Sequence, residues 1–286
     1  MRLEDFLSQC PVIRVLLTSV RGSSPREAGT EMFVGETGLF GTIGGGQLEY
    51  MGLDKARAML RSGETRSDMD VPLGPEIGQC CGGRVAVRLT RMHRTDRYAA
   101  MERARQEAEA RPHVYVMGAG HVGRALADLF QHLPVRCILI DTRAEELALC
   151  RADVETRLSS IPEAEIAAAP QGSAFIVLTH DHALDFLLTA AALERGDAGY
   201  VGMIGSATKR ARFRTWTREA DAGQPIDQLI CPIGANGSRD KRPGVIAAFV
   251  VAEVMAELTC ETVVNRPERP KGAPATGTET GHPVAP

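Results

Sequence analysis

The chain has 286 residues, 44% hydrophobic and 24% charged, enough for two ordinary soluble domains with separate cores. A formal net charge of −3, without interleaved basic and aromatic residues, gives no attraction to a polyanion and excludes nucleic acid as an expected partner. The seven cysteines, odd in number and scattered, argue against a disulfide framework and for a cytoplasmic compartment; no charged-then-apolar leader follows Met1, and no run approaches the roughly 20 apolar residues of a membrane span.

Residues 12–20 are β-branched and apolar and end at Arg21-Gly22-Ser23-Ser24-Pro25, which predicts a strand entering a loop. Residues 31–34 and 39–43, joined by Gly35-Glu36-Thr37-Gly38, predict a hairpin. After Gly44-Gly45-Gly46, the apolar residues Leu48, Met51, Leu53, Ala56, Met59 and Leu60 recur at helical spacing as far as Gly63. A polar stretch and a loop over 74–83 precede a strand at 85–89. Residues 94–111 predict a helix that Pro112 ends, and the domain division is placed there. The expected organisation is a glycine-loop-rich N-terminal α+β domain over 1–94, a linker helix over 95–112, a Rossmann-like domain over 113–261 and a disordered tail over 262–286.

In the second domain, strands predicted at 114–117, 136–140, 174–179, 200–204 and 229–231 alternate with helices, among them 121–132, 183–194 and 207–219. That alternation means an α/β fold with a parallel sheet. The apolar helix 243–258 is expected to be buried.

Gly118-Ala119-Gly120-His121-Val122-Gly123 directly follows a predicted strand and opens a helix, the context in which a glycine turn receives a phosphate. Gly118 permits the turn, Gly120 lets backbone approach the anion, and Gly123 lets helix and strand pack closely. Asp141 ends the next strand, where an acidic side chain meets a ribose hydroxyl or caps the following helix. A ligandless turn has the same local requirements.

Other loops at the same sheet edge qualify as lining. His180-Asp181-His182 follows one strand, with Asp185 nearby; it suits polar lining better than metal, since two histidines lack a third ligand. Gly205-Ser206 opens the helix bearing Lys209, Arg210, Arg212 and Arg214, which suits either a second anion or an acidic protein surface, or is a solvated basic face.

The first domain holds three glycine loops: Gly22 to Arg26, Gly41 to Gly46 with Gly45 and Gly46 at its end, and Gly78-Gln79-Cys80-Cys81-Gly82-Gly83. Such loops either form anion-binding nests or make sharp turns. Adjacent cysteines lack the spacing of a zinc half-site; Cys80 and Cys81 can contact a soft metal or carry sulfur if Arg84 or flanking amides lower a thiol pKa, or they are simply buried.

Taken in order, these motifs, together with Thr179-His180-Asp181, Gly202-Met203-Ile204-Gly205-Ser206 and Cys231-Pro232-Ile233-Gly234, resemble the XdhC/CoxI family of accessory proteins over roughly residues 10–258. The Cys80-Cys81 loop looks like the xanthine dehydrogenase branch. The resemblance favours a cofactor-binding chaperone over a catalyst. It implies transient binding of molybdenum cofactor (molybdopterin) during sulfuration, and delivery to xanthine dehydrogenase apoprotein. It further implies a cysteine desulfurase as sulfur donor and a homodimer. The cofactor's phosphate is then expected at Gly118, Gly120, His121, Val122 and Gly123, with Asp141, His180, Asp181, Gly205, Ser206, Gly45 and Gly46 around it and molybdenum toward Cys80 and Cys81. Ser238-Arg239-Asp240-Lys241-Arg242-Pro243 departs from the family's acidic helix start. Two rivals use the same residues: an NAD(P)-dependent oxidoreductase with His180 or His182 as proton donor, and a scaffold acting through protein contacts alone.

Overall fold

The computed structural model describes residues 3–9, 11–74, 82–219, 226–235, 237–238 and 240–259. Cys80, Cys81 and the tail over 262–286 therefore lie outside the described residues. The chain divides into two compact units, Met1–Ala110 and Arg111–Pro286.

The first unit is built on an antiparallel sheet. Helix α1 (Leu3–Ser8) leads into β1 (Ile13–Arg21), and β2 (Glu31–Val34) and β3 (Leu39–Gly41) form the expected hairpin. Helix α2 (Gly46–Ser62) follows, then β4 (Arg66–Leu73), β5 (Gly83–Arg91) and helix α3 (Arg94–Glu109). The strands lie in the order β3-β2-β1-β5-β4. Period-2 alternation puts Ile13, Val15 and Leu17 of β1 on one face with Val85, Val87 and Leu89 of β5, and α2 covers them with Leu48, Ala56 and Met59. Gly63, in the left-handed region at φ 81°, ends α2 by donating to the Met59 carbonyl. A second cluster gathers Phe6, Leu7, Phe33 and Ala100, so α3 packs within the first unit. Arg97 fastens it by donating to the carbonyls of Leu7 and Gln9.

The second unit carries β6 (His113–Met117), α4 (His121–Phe130), β7 (Arg136–Asp141), α5 (Ala144–Ala148), β8 (Glu155–Leu158) and α6 (Pro162–Ala168). It continues with β9 (Ala174–Val177), α7 (His182–Glu194), β10 (Tyr200–Met203), α8 (Ala207–Glu219), β11 (Leu229–Ile230) and α9 (Pro243–Leu258). All pairings are parallel, in the order β11-β10-β9-β6-β7-β8. The chain therefore winds outward from β6, then returns to β9 and winds the other way. This doubly wound order is that of the Rossmann fold, and the reversal between β6 and β9 opens a crevice at the strands' carboxyl ends. The central strands are apolar without alternation because helices cover both faces. Leu126, Phe130, Val250 and Val254 fill one side, and Ile166, Leu188, Leu193 and Phe213 the other. Helix α9, expected to be buried, is so along one side. Ala247, Val250 and Val254 are buried, and Phe249 stays 38% exposed.

Candidate functional site

The site is assembled where β6 meets the reversal. Gly118 leaves β6 at φ 130°, and a Cβ there would stand 2.4 Å from the Leu178 carbonyl oxygen at the end of β9. Only glycine lets the two loops approach so closely. A Cβ on Gly123 would lie 1.8 Å from the Gly118 carbonyl oxygen, so this glycine fixes how closely α4 rests on its own turn. Gly120 differs: its φ is −65°, nothing lies within 4 Å of its Cβ direction, and no side chain caps the helix it precedes. The start of α4 thus presents backbone N–H groups and the positive end of a helix dipole to open space, with His121 exposed and Val122 packed on the core.

Asp141, 5% exposed, does not offer a free carboxylate. Oδ2 accepts from the Ala119 amide at 2.7 Å and from Arg143 Nη2 at 3.0 Å, while Oδ1 accepts from the Arg143 amide at 2.9 Å and its Nε at 3.0 Å. Burial pushes its pKa up, but the Arg143 guanidinium and the two amides outweigh this and leave it below the usual carboxylate value. Asp141 therefore braces the glycine turn. Arg124 reinforces it, bonding both the Ala119 carbonyl and Glu146.

Beyond β9, His180 is exposed and lines a small pocket with Gly118, Asp141 and Thr179. Asp181 is the N-cap of α7, accepting from the amides of Ala183 and Leu184, and those bonds hold its pKa down. Its carboxylate leaves no comparable anion site at α7. Asp185, one turn on and 1% exposed, takes the Thr179 amide and hydroxyl, each at 2.8 Å, and forms an ion pair with Lys209 of α8. Gly205 makes this possible, because a Cβ there would stand 2.7 Å from Lys209 Cδ. Ser206 accepts from the Lys209 amide at 3.3 Å. The buried pair ties α7 and α8 to the loop after β9, and spacing gave no sign of it. The one sequence signal was an aspartate among the apolar residues Leu184, Phe186, Leu187 and Leu188. Thr179, His182, Asp185, Phe186, Lys209 and Arg212 line a cavity of about 420 Å³ here.

In the first unit the described residues of the glycine-rich segments come together at Ser23, Gly82 and Gly83 and at Pro25 and Gly44. Ser23 bridges to Gly82, a Cβ on Gly83 would collide with the Ser23 carbonyl oxygen at 2.1 Å, and one on Gly44 would meet Pro25 at 2.8 Å. Gly44, Gly45 and Gly46 all have positive φ. The amide of Gly45 donates to Glu49 Oε2 at 3.2 Å, so this nest already holds the chain's own carboxylate. Arg84 pairs bidentately with Asp70 at 2.8 and 2.9 Å. No group of three or more His, Cys, Asp or Glu suited to a metal occurs among the described residues, and no described helix is long and apolar enough to cross a membrane.

A family model described as the XdhC Rossmann domain matches residues 114–254, and one described as the XdhC and CoxI family matches residues 7–71. The chain is 25% identical over 265 residues to the uncharacterized protein YqeB of Escherichia coli (strain K12), covering 89% of this chain and 44% of that protein, so it spans less than half of that relative. A crystal structure of a Bacillus halodurans protein described as a xanthine dehydrogenase is similar with a TM-score of 0.75 at 17% identity, over 95% of this chain and 97% of the other; this likeness is one of fold.

Proposed function

We propose, from the premise that this chain belongs to the XdhC/CoxI family, that it is an accessory protein of xanthine dehydrogenase maturation. In this reading it binds molybdenum cofactor, holds it during sulfuration and passes it to the dehydrogenase apoprotein, acting as a cytoplasmic homodimer. When bound, the cofactor provides the molybdenum at which oxo is exchanged for sulfido, with sulfur from a cysteine desulfurase. The observation that carries the reading is the uncapped start of α4, open at Gly120, at the point where a doubly wound sheet reverses. Those amides fit the phosphate of molybdopterin, and Gly118, His121, Val122 and Gly123 shape the turn around it. His180, Gly205 and Ser206 line the same sheet edge, whereas Asp141 and Asp181 act by holding backbone. Cys80 and Cys81 are the residues proposed to contact molybdenum.

The test is cofactor retention. Gly120→Val suits the extended local backbone, its Cβ meets nothing within 4 Å, and its methyl groups are placed to crowd the space in front of the amides. Mass spectrometry of wild type purified from a molybdenum-replete host is expected to find molybdopterin, and the variant to have lost it while staying folded, with a stability loss of about 1 kcal/mol from the poorer N-cap. Cys80→Ala with Cys81→Ala is expected to abolish delivery of sulfurated cofactor. A dinucleotide enzyme would need Asp141 for ribose, and that carboxylate is already saturated. Retention of the cofactor by Gly120→Val would refute the phosphate assignment.

A further inference from the structure

The cavity beyond β9 and β10, about 420 Å³, lies within the roughly 300–1,000 Å³ usual for small-molecule sites. The pocket over Asp141 encloses about 10 Å³. Of these two, only the first has room for a ring system. Its lining includes Lys209, whose side chain is 10% exposed and whose ammonium, among the described residues, bonds Asp185 alone. An ammonium has three donors, so two remain for a guest. Asp185 is itself held by Thr179, which fixes the ammonium in place. Because the Asp185–Lys209 pair is neutral overall, the remaining Lys209 donors suit a polar carbonyl oxygen, with Arg212 the unneutralised cation of the lining, and leaving buried donors unmet is costly. Phe186, backed by Phe213 and Trp216 at ring separations of 5.3 and 5.8 Å, supplies an aromatic wall that favours a planar partner.

We infer that this cavity receives the pterin ring of the cofactor, with Lys209 donating to the ring carbonyl and Phe186 against the ring face. The inference rests on the reading above that the chain binds molybdenum cofactor. Purines carry the same carbonyl edge on a fused ring, so the experiment must separate the two sources. The purified full chain is titrated with pterin, which is fluorescent, and with hypoxanthine as competitor, while retained cofactor is measured by mass spectrometry. Saturable quenching of pterin is expected, weakened about tenfold or more by Lys209→Met, which removes the charged donor. Lys209→Met also strands Asp185, so a second variant is needed: Thr208→Trp starts from an exposed position on the cavity rim, leaves the ion pair intact and is expected to block pterin to the same extent. Hypoxanthine binding more tightly than pterin would overturn the assignment. So would a Thr208→Trp protein that binds pterin and keeps its cofactor like wild type. If that variant keeps cofactor while Gly120→Val loses it, the ring assignment falls and the proposed function stands; if wild type retains none, both fall.

Discussion

Both oxygens of Asp141 are engaged before any guest arrives, and that separates the readings the sequence left open. A strand-end aspartate after a glycine turn is the ordinary partner of a ribose. Here Arg143, two residues on, folds back on it with the Ala119 amide. The aspartate was legible, and its occupation was not, because a two-residue return depends on side-chain direction and not on spacing. Two outcomes follow. Asp141→Asn exchanges a carboxylate that takes a charged donor and two amides for a neutral amide, and is expected to lower unfolding free energy by about 1–3 kcal/mol in denaturant titration. Neither wild type nor Arg143→Ala is expected to bind NADH or NADPH in fluorescence titration; clear binding by Arg143→Ala would revive the dinucleotide reading. Lys209 teaches the same lesson, since a residue that looks like part of a basic helix face is paired with an aspartate 24 positions away.

The longer elements that face a core were legible; the short helices α1 and α6 were not, although Phe6, Leu7 and Ile166 are buried. The buried strands β6, β7, β9 and β10 announce themselves as apolar runs, and α2 by its spacing. Two strands escaped. β4 is an edge strand whose outward residues Arg66, Asp68, Asp70 and Pro72 read as a polar stretch, and Asp68 and Asp70 pair across to Arg88 and Arg84 of β5. β8 is the other case: it ends the parallel sheet, alternates half-buried with exposed, and exchanges ion pairs through Glu155 with Arg136 and Arg157. Charge and proline on an edge block pairing with other chains and also erase the hydrophobic signal. Within the glycine turn the element scale makes a sharp contrast. Gly123→Ala would drive a methyl group into the Gly118 carbonyl, forcing α4 off its strand at a cost of about 1–3 kcal/mol or more, whereas Gly120→Ala meets nothing and should cost only the poorer N-cap, about 1 kcal/mol or less. Thermal unfolding of the two variants checks this, and equal losses would contradict the geometry.

For the molecule as a whole, the ionisable groups of the second unit set a window of stability. His113, half-buried at the start of β6, has its pKa lowered from 6.5 by burial and by Arg136 and Arg157, against an opposing pull from Glu155, and its Nδ1 is buried without a partner among the described residues. The unfolded chain takes up this proton more readily than the folded one. The stability His113 contributes is therefore complete above about 6.5 and lost as pH falls through its lower folded value. Asp141, depressed below 3.8, acts in the same direction at more acidic pH: its contribution is lost as pH falls through the folded value. The opposite holds for Cys137, pushed up from 9.0 to about 12, chiefly by burial and further by Cys150. Its neutral thiol is favoured by folding, so that stability is complete below about 9 and declines as pH rises toward 12. The melting temperature should accordingly hold a plateau between about pH 6.5 and 9 and fall on both sides. His113→Gln should flatten the first part of the acid limb, and Cys137→Ala should flatten the alkaline limb from a lower plateau, because it also leaves a small cavity. Scanning calorimetry across pH on the three proteins decides the matter. If His113→Gln keeps the wild-type slope below pH 6.5, burial of that imidazole is not what makes the fold acid-sensitive.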